Sequence, residues 1–137
     1  MDFTKKQVTY DADAEMGYIY LSEPHTNKIV STEELPENDD LMIDFGEGVP
    51  VIGIELAGKT AKRIAKIVDR TNFYYKELTP YGMTYYSFRI NNELIRKSVS
   101  HPNAEAILLH FSDENCQDFV GFDIMDTKSY SEKYLIG

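Results

Sequence analysis

The residues that could do chemistry come first. Asp11, Asp13 and Glu15 alternate like the opening of a calcium-binding loop, with carboxylates placed for a hard cation. Such a loop also needs glycine at its sixth position and glutamate at its twelfth, and here those places hold Met16 and Ser22. No metal is therefore expected. The three histidines, His25, His101 and His110, lie on separate segments without ligand spacing; His25 and His101 adjoin prolines in turn-like sequence, and all three read as surface residues. The single cysteine, Cys116, stands in Asp-Glu-Asn-Cys-Gln-Asp, where neighbouring carboxylates keep a thiol protonated rather than nucleophilic. Neither a nucleophile elbow, a phosphate-binding loop nor a dinucleotide fingerprint is present. The sequence thus nominates no catalytic residue and no cofactor.

What it does offer is a concentration of charge. Between Glu33 and Glu47 lie seven acids, Glu33, Glu34, Glu37, Asp39, Asp40, Asp44 and Glu47, and no base; a turn in the second half adds Asp113, Glu114 and Asp118. These could simply solvate a loop and protect strand edges. The sharper expectation is a surface that imitates phosphate charge and docks on a cationic protein. Opposite in sign is the stretch 59 to 70. It holds Lys59, Lys62, Arg63, Lys66 and Arg70 against Asp69, a charge of +4, which leaves −13 for the rest of a chain whose net charge is −9. This basic face either balances the surrounding acidity or contacts nucleic-acid phosphates.

The framework that must carry these groups reads mainly as short strands. The chain has 137 residues and is 42% hydrophobic, enough for one compact domain and too apolar for a disordered one. No apolar run approaches the ~20 residues of a membrane span. The N-terminal residues lack an apolar signal core, and one cysteine permits no intrachain disulfide, so a cytoplasmic location is expected. Leu41 to Phe45 and Val51 to Leu56 alternate with period two around Gly46-Glu47-Gly48, which predicts a hairpin whose turn uses glycine's positive-φ freedom. Tyr18 to Leu21 and Lys28 to Thr32 suggest another hairpin. Ala61, Ile64, Ala65 and Val68 define one apolar helical face over 60 to 70, with Thr60 as its N-cap. Further strands are predicted at 73–78, 83–90, 94–99, 107–111 and 119–124, and a final helical turn within 128–136.

The two halves match one another. VIGIEL at 51–56 parallels FVGFDI at 119–124, with Gly53 against Gly121, and LMIDF at 41–45 parallels ILLHF at 107–111, with Asp44 against His110. Pro36 falls against Pro102 at a shift of 66; Met16 and Tyr18 against Met83 and Tyr85, and Asp2 and Thr4 against Asp69 and Thr71, give a shift of 67. The expected fold is α+β: tandem antiparallel β-meanders as two pseudo-repeats of about 67 residues, 1–68 and 69–137, in one domain, with one amphipathic helix between them and a short C-terminal helix.

The string YDADAEMGYIYLS, followed by IVSTEEL and LMIDFGEGVPVIGIEL, resembles the bacterial family known as domain of unknown function 2283 over residues 8 to 57. The matching positions are Tyr10, Asp11, Ala14, Tyr18, Ile19, Leu21, Thr32, Glu33, Asp44, Gly48, Gly53, Ile54 and Glu55, with Glu15 where the family favours Asp. The second half keeps only the closing Gly-Phe-Asp-Ile, as a degenerate second copy would. The resemblance implies a small β-rich domain without established enzymatic activity, whose members accompany toxin-like proteins. The function expected is a non-enzymatic, acidic immunity or antitoxin-type inhibitor that occludes a basic toxin such as a nuclease. Homo-oligomers fit the aromatic content. The alternatives are a small hydrolase or metal-dependent enzyme with an unrecognised site, and a nucleic-acid or regulatory binder using the basic helix.

Overall fold

The computed structural model describes residues 6–137. The proposed match of Asp2 and Thr4 to the second half lies outside the described residues. The first sheet comprises β1 (Val8–Asp11), β2 (Met16–Tyr20), β3 (Ile29–Leu35), β4 (Asn38–Gly46) and β5 (Val51–Ala57). After helix α1 (Gly58–Ile64), the second sheet is built from β6 (Tyr74–Leu78), β7 (Thr84–Arg89), β8 (Lys97–Val99), β9 (Ile107–Phe111) and β10 (Phe119–Ile124). A 3-10 turn (Thr127–Ser129) and a short helix α2 (Glu132–Leu135) close the chain.

Both sheets are antiparallel and share one strand order: β1-β2-β5-β4-β3 and β6-β7-β10-β9-β8. Each is a two-strand hairpin laid against a three-strand meander. The expected hairpin between 18–21 and 28–32 therefore does not form: β2 pairs with β1 and β5, while β3 crosses to the far edge and pairs with β4. Turn composition marked the connection correctly, but the apolar β5 has more to bury beside β2 than the exposed residues of β3 do.

Register fixes the internal correspondence. Along one inward row Val8, Ile19, Ile54 and Ile43 are cross-strand neighbours, and along its counterpart Tyr74, Phe88, Phe122 and Leu109 are. The copies are thus related by shifts of 66 in the first, third and fourth strands and 68 in the fifth, as the sequence comparison gave for the last two. In the second strand the shift is 69, so Tyr18 corresponds to Ser87 and not to Tyr85. The β6–β7 turn absorbs the difference.

The inward faces of both sheets belong to one hydrophobic cluster. The first contributes aliphatic residues such as Ile19, Leu41, Ile43, Ile54 and Leu56; the second contributes aromatics, with Phe88 and Phe122 stacked at 5.1 Å. The sheets therefore cover mainly each other, and α1 covers one end. Ala61 and Ile64 are buried there, and Ile64 lies so close to Gly17 that a β-carbon at that glycine would sit 2.3 Å from it. The helix is shorter than expected and begins earlier: Ala57 is its N-cap, and Thr60 is a buried residue inside it whose hydroxyl reaches Asp40. Hydrogen bonds stitch the copies together, from Tyr74 Oη to Tyr20 O (2.6 Å), from Gln7 Nε2 to Tyr134 O (2.8 Å) and from Tyr134 Oη to Lys6 O. The Gly46-Glu47-Gly48 turn is made without positive φ at either glycine, which instead leave room for Ile52 and Asn27.

Candidate functional site

The expected acidic surface is assembled from both copies, and only part of the nominated set takes part. The β3–β4 turn leans on the 112–118 loop of the second copy through a hydrogen bond from Asn38 Nδ2 to Cys116 O (2.9 Å). Around that joint a shallow groove of about 390 Å³ is lined by Glu34, Glu37, Asp39, Asp40 and Gln117. Asp113 and Glu114 stand near enough to join Glu37 in acting on the Cys116 thiol. Burial pushes that thiol up first; Lys97 opposes, and the three carboxylates add to the rise. The thiol is buried and protonated, as its sequence context suggested, although burial outranks the acids as the cause.

The other nominated acids are placed elsewhere. Asp44 is buried and is no surface charge: its carboxylate accepts hydrogen bonds from Tyr18 Oη (2.6 Å) and Thr32 Oγ1 (2.5 Å). Strand alternation places it on the outward face, where the Tyr18 ring lies over the neighbouring Gly53 and its hydroxyl reaches the carboxylate. Glu33 is engaged by His101 Nε2 (3.2 Å) and Asn103 Nδ2 (3.3 Å) across the copies. Asp118 pairs with Arg63 at 2.8 Å. Asp113 accepts the backbone N–H groups of Gln117 and Asp118, which hold its carboxyl below the usual range. Glu47 is exposed at the other end of β4, away from the groove.

The basic face is also partly spent. Lys62 pairs with Glu15 (3.1 Å), Arg63 with Asp118 and with Glu93 (3.8 Å), and Arg70 donates to the carbonyls of Arg89 and Ile90 (both 3.0 Å). Lys66 joins Arg63 and Arg70 in a groove of about 580 Å³ against Ile90, Asn91 and Glu93. Asp11 caps its own turn by accepting from the N–H groups of Asp13 (3.0 Å) and Ala14 (3.3 Å). Among the described residues no three His, Cys, Asp or Glu side chains converge as a metal site, and no helix is long and apolar enough to cross a membrane.

Two of the three histidines depart from expectation. His25 is exposed, but His101 and His110 are each only 5% exposed. His101 fits edge-on against Phe45 at 5.3 Å and accepts the Asn103 N–H, a joint between the copies. His110 occupies the outward place equivalent to Asp44, and there it is enclosed by neighbours. Ser98 Oγ lies 2.7 Å from its Nδ1, Asp123 Oδ2 lies 2.9 Å from its Nε2, and Arg89 Nη1 lies 2.8 Å from Asp123 Oδ1. Burial alone would raise the Asp123 carboxyl, but the hydrogen bonds from His110 and Arg89 outweigh it and hold the group below its ordinary value. The expectation of three surface histidines missed this cluster because its members come from β7, β8, β9 and β10. Only the cross-strand register, with Ser98 opposite His110 and His110 opposite Gly121, brings them together.

The comparisons with known proteins agree with this picture of a repeated sheet. Residues 7–58, the first sheet, match the family described as "Protein of unknown function (DUF2283)". Over 126 residues, 92% of this chain and 92% of the relative, the sequence is 33% identical to the Bacillus subtilis (strain 168) protein named "Uncharacterized protein YuzE". No solved structure matches. The second sheet repeats the strand order of the first, and the likeness to YuzE extends over both; the chain therefore belongs to the DUF2283 family and is a homologue of YuzE.

Proposed function

We propose that this protein is an acidic interaction module that binds and occludes a basic protein, in the manner of an immunity protein or antitoxin acting on a toxin such as a nuclease. The observation that carries the reading is the groove at the Asn38–Cys116 joint, where Glu34, Glu37, Asp39 and Asp40 from one copy stand beside Asp113 and Glu114 from the other. Paired surfaces of opposite charge accelerate encounter and select partners. The footprint is smaller than the sequence suggested, since Asp44 and Asp118 are already satisfied, Glu33 is engaged at the joint between copies, and Glu47 lies apart. The exposed apolar hairpin of Leu78, Tyr81 and Met83 sits at the opposite end of the second sheet from the 112–118 loop, so the docking surface at the groove is dominated by charge.

A binding experiment on the full chain tests this reading. Immobilised wild-type protein should capture a basic protein from a lysate of its native host and release it as salt is raised. Reversal of Glu37, Asp39 and Asp40 to Lys should abolish capture, whereas Lys59→Glu with Lys66→Glu should leave it intact. Recovery of no basic protein, or equal capture by the acid-reversed variant, would overturn the proposal. Loss of capture only in the helix variant would move the interface to the basic groove.

A further inference from the structure

We propose that Ser98 is an activated nucleophile for acyl transfer, with His110 as its general base and Asp123, steadied by Arg89, as the group that orients the imidazole. The proposal stands on geometry independent of the acidic groove. Three side chains from adjacent strands form a continuous relay: Ser98 Oγ to His110 Nδ1 at 2.7 Å, and His110 Nε2 to Asp123 Oδ2 at 2.9 Å. The Asp123 carboxylate can only accept, so it fixes the imidazole proton on Nε2 and leaves the Nδ1 lone pair facing the serine hydroxyl. That is the polarity a base needs to take the Oγ proton, and the roles of nucleophile, base and orienter are recognised by such geometry and not by chain position.

Burial is distributed as this chemistry requires. His110 and Asp123 are 5% and 8% exposed, while Ser98 is exposed on β8, the edge strand of its sheet. Because β8 is the edge strand, a substrate carbonyl can approach Ser98 from the side that no other strand covers. The equivalent row of the first copy shows that sheet stability alone does not call for a histidine. There Thr32 and Tyr18 hydroxyls surround the Asp44 carboxylate, and no imidazole is present.

The reaction class is hydrolysis of an accessible, activated ester. Ser98 Oγ attacks the carbonyl carbon as its proton passes to His110 Nδ1. The tetrahedral oxyanion collapses, the C–O bond to the leaving group breaks, and Nδ1 returns the proton to the departing alkoxide. Water, deprotonated by the same nitrogen, then cleaves the acyl-serine to release the acid and restore Oγ–H.

The test uses the full chain, a fluorophosphonate probe read by intact mass and peptide mapping, and p-nitrophenyl acetate turnover. The wild type should gain one adduct on Ser98. Ser98→Ala should abolish both labelling and turnover while circular dichroism stays unchanged, as an exposed position allows. His110→Gln should slow labelling at Ser98 by about 100-fold or more, the usual share of a general base. No adduct on the wild type, an adduct elsewhere than Ser98, or turnover unchanged by Ser98→Ala would overturn the assignment. Labelling at Ser98 that is indifferent to His110→Gln would overturn the role of the imidazole.

Discussion

The outward rows of the two sheets are built on the same plan and filled differently. In the first, Tyr20, Gly53, Asp44 and Thr32 are neighbours across four strands; in the second, Arg89, Gly121, His110 and Ser98 take those places. Each row has a glycine on its fifth strand, a buried ionisable group on its fourth and a hydroxyl on its third. In copy one a single carboxylate is satisfied by two hydroxyl donors, and burial with the Asp44 hydrogen bond pushes the Tyr18 phenol far up, so it remains a donor. Copy two replaces that carboxylate with an imidazole, which engages the acid of the fifth strand, Asp123, at the place that Glu55 holds in copy one. A repeat can thus keep its pairing register and change its chemistry by exchanging one buried side chain in the row.

The inward rows differ too, and the largest expected effect breaks that comparison. Phe122 and Ile54 are equivalent, the one stacked among rings and the other among aliphatics. Phe122→Ala should cost about 3–5 kcal/mol and Ile54→Ala about 2–5 kcal/mol, both read from urea unfolding. Since both side chains belong to one cluster, each variant should unfold in a single transition. Two separated transitions would show that the copies are energetically independent.

Next in size is the glycine pair. Gly121 has φ +150°, and a β-carbon there would lie 2.1 Å from Phe88 O, a backbone atom that cannot turn aside. At Gly53 the obstacle is the Tyr18 ring at 2.2 Å, which can move at the expense of its bond to Asp44. Gly121→Ala should therefore destabilise by about 1–3 kcal/mol or more, and Gly53→Ala by about 1 kcal/mol. Equal losses would mean that the two glycines are not doing different jobs.

The smallest effect is electrostatic and sharpens the contrast between the outward rows. Because the folded state holds Asp123 below the ordinary aspartate value of 3.8, its contribution is complete above that pH and fades as pH falls through it toward the lowered folded value. The stability gap between wild type and Asp123→Asn should accordingly be full near neutral pH and shrink in acid. A gap constant from pH 6 to pH 3 would contradict the hydrogen bonds to Asp123 assigned to Arg89 and His110.

Much of this architecture was legible in the sequence, because alternation of apolar residues and the repeated Gly-x-acid endings of β5 and β10 record burial directly. The expected strands 51–56, 107–111 and 119–124 lie within a residue of the observed bounds, while 41–45 is the apolar part of a longer β4 that begins at Asn38. What alternation cannot convey is which strand lies beside which. The β2–β3 connection reads as a hairpin because its residues have turn chemistry, yet strand order depends on what β5 must bury. The same blindness explains the site: alternation makes Asp44 and His110 outward equivalents, while their enclosure by Tyr18, and by Ser98 and Asp123, arises from neighbours far along the chain. The acids of the 33–47 run were visible, but not which of them had already found a donor.

The second outward row is a polarised relay in this proposal, where the first closes on a carboxylate, and the position of one proton distinguishes them. Nitrogen-15 chemical shifts of the His110 ring read that position directly. The expected result is a proton on Nε2, shared with Asp123, and a bare Nδ1 whose shift changes on Ser98→Ala. A proton on Nδ1, donated toward Ser98, would contradict it.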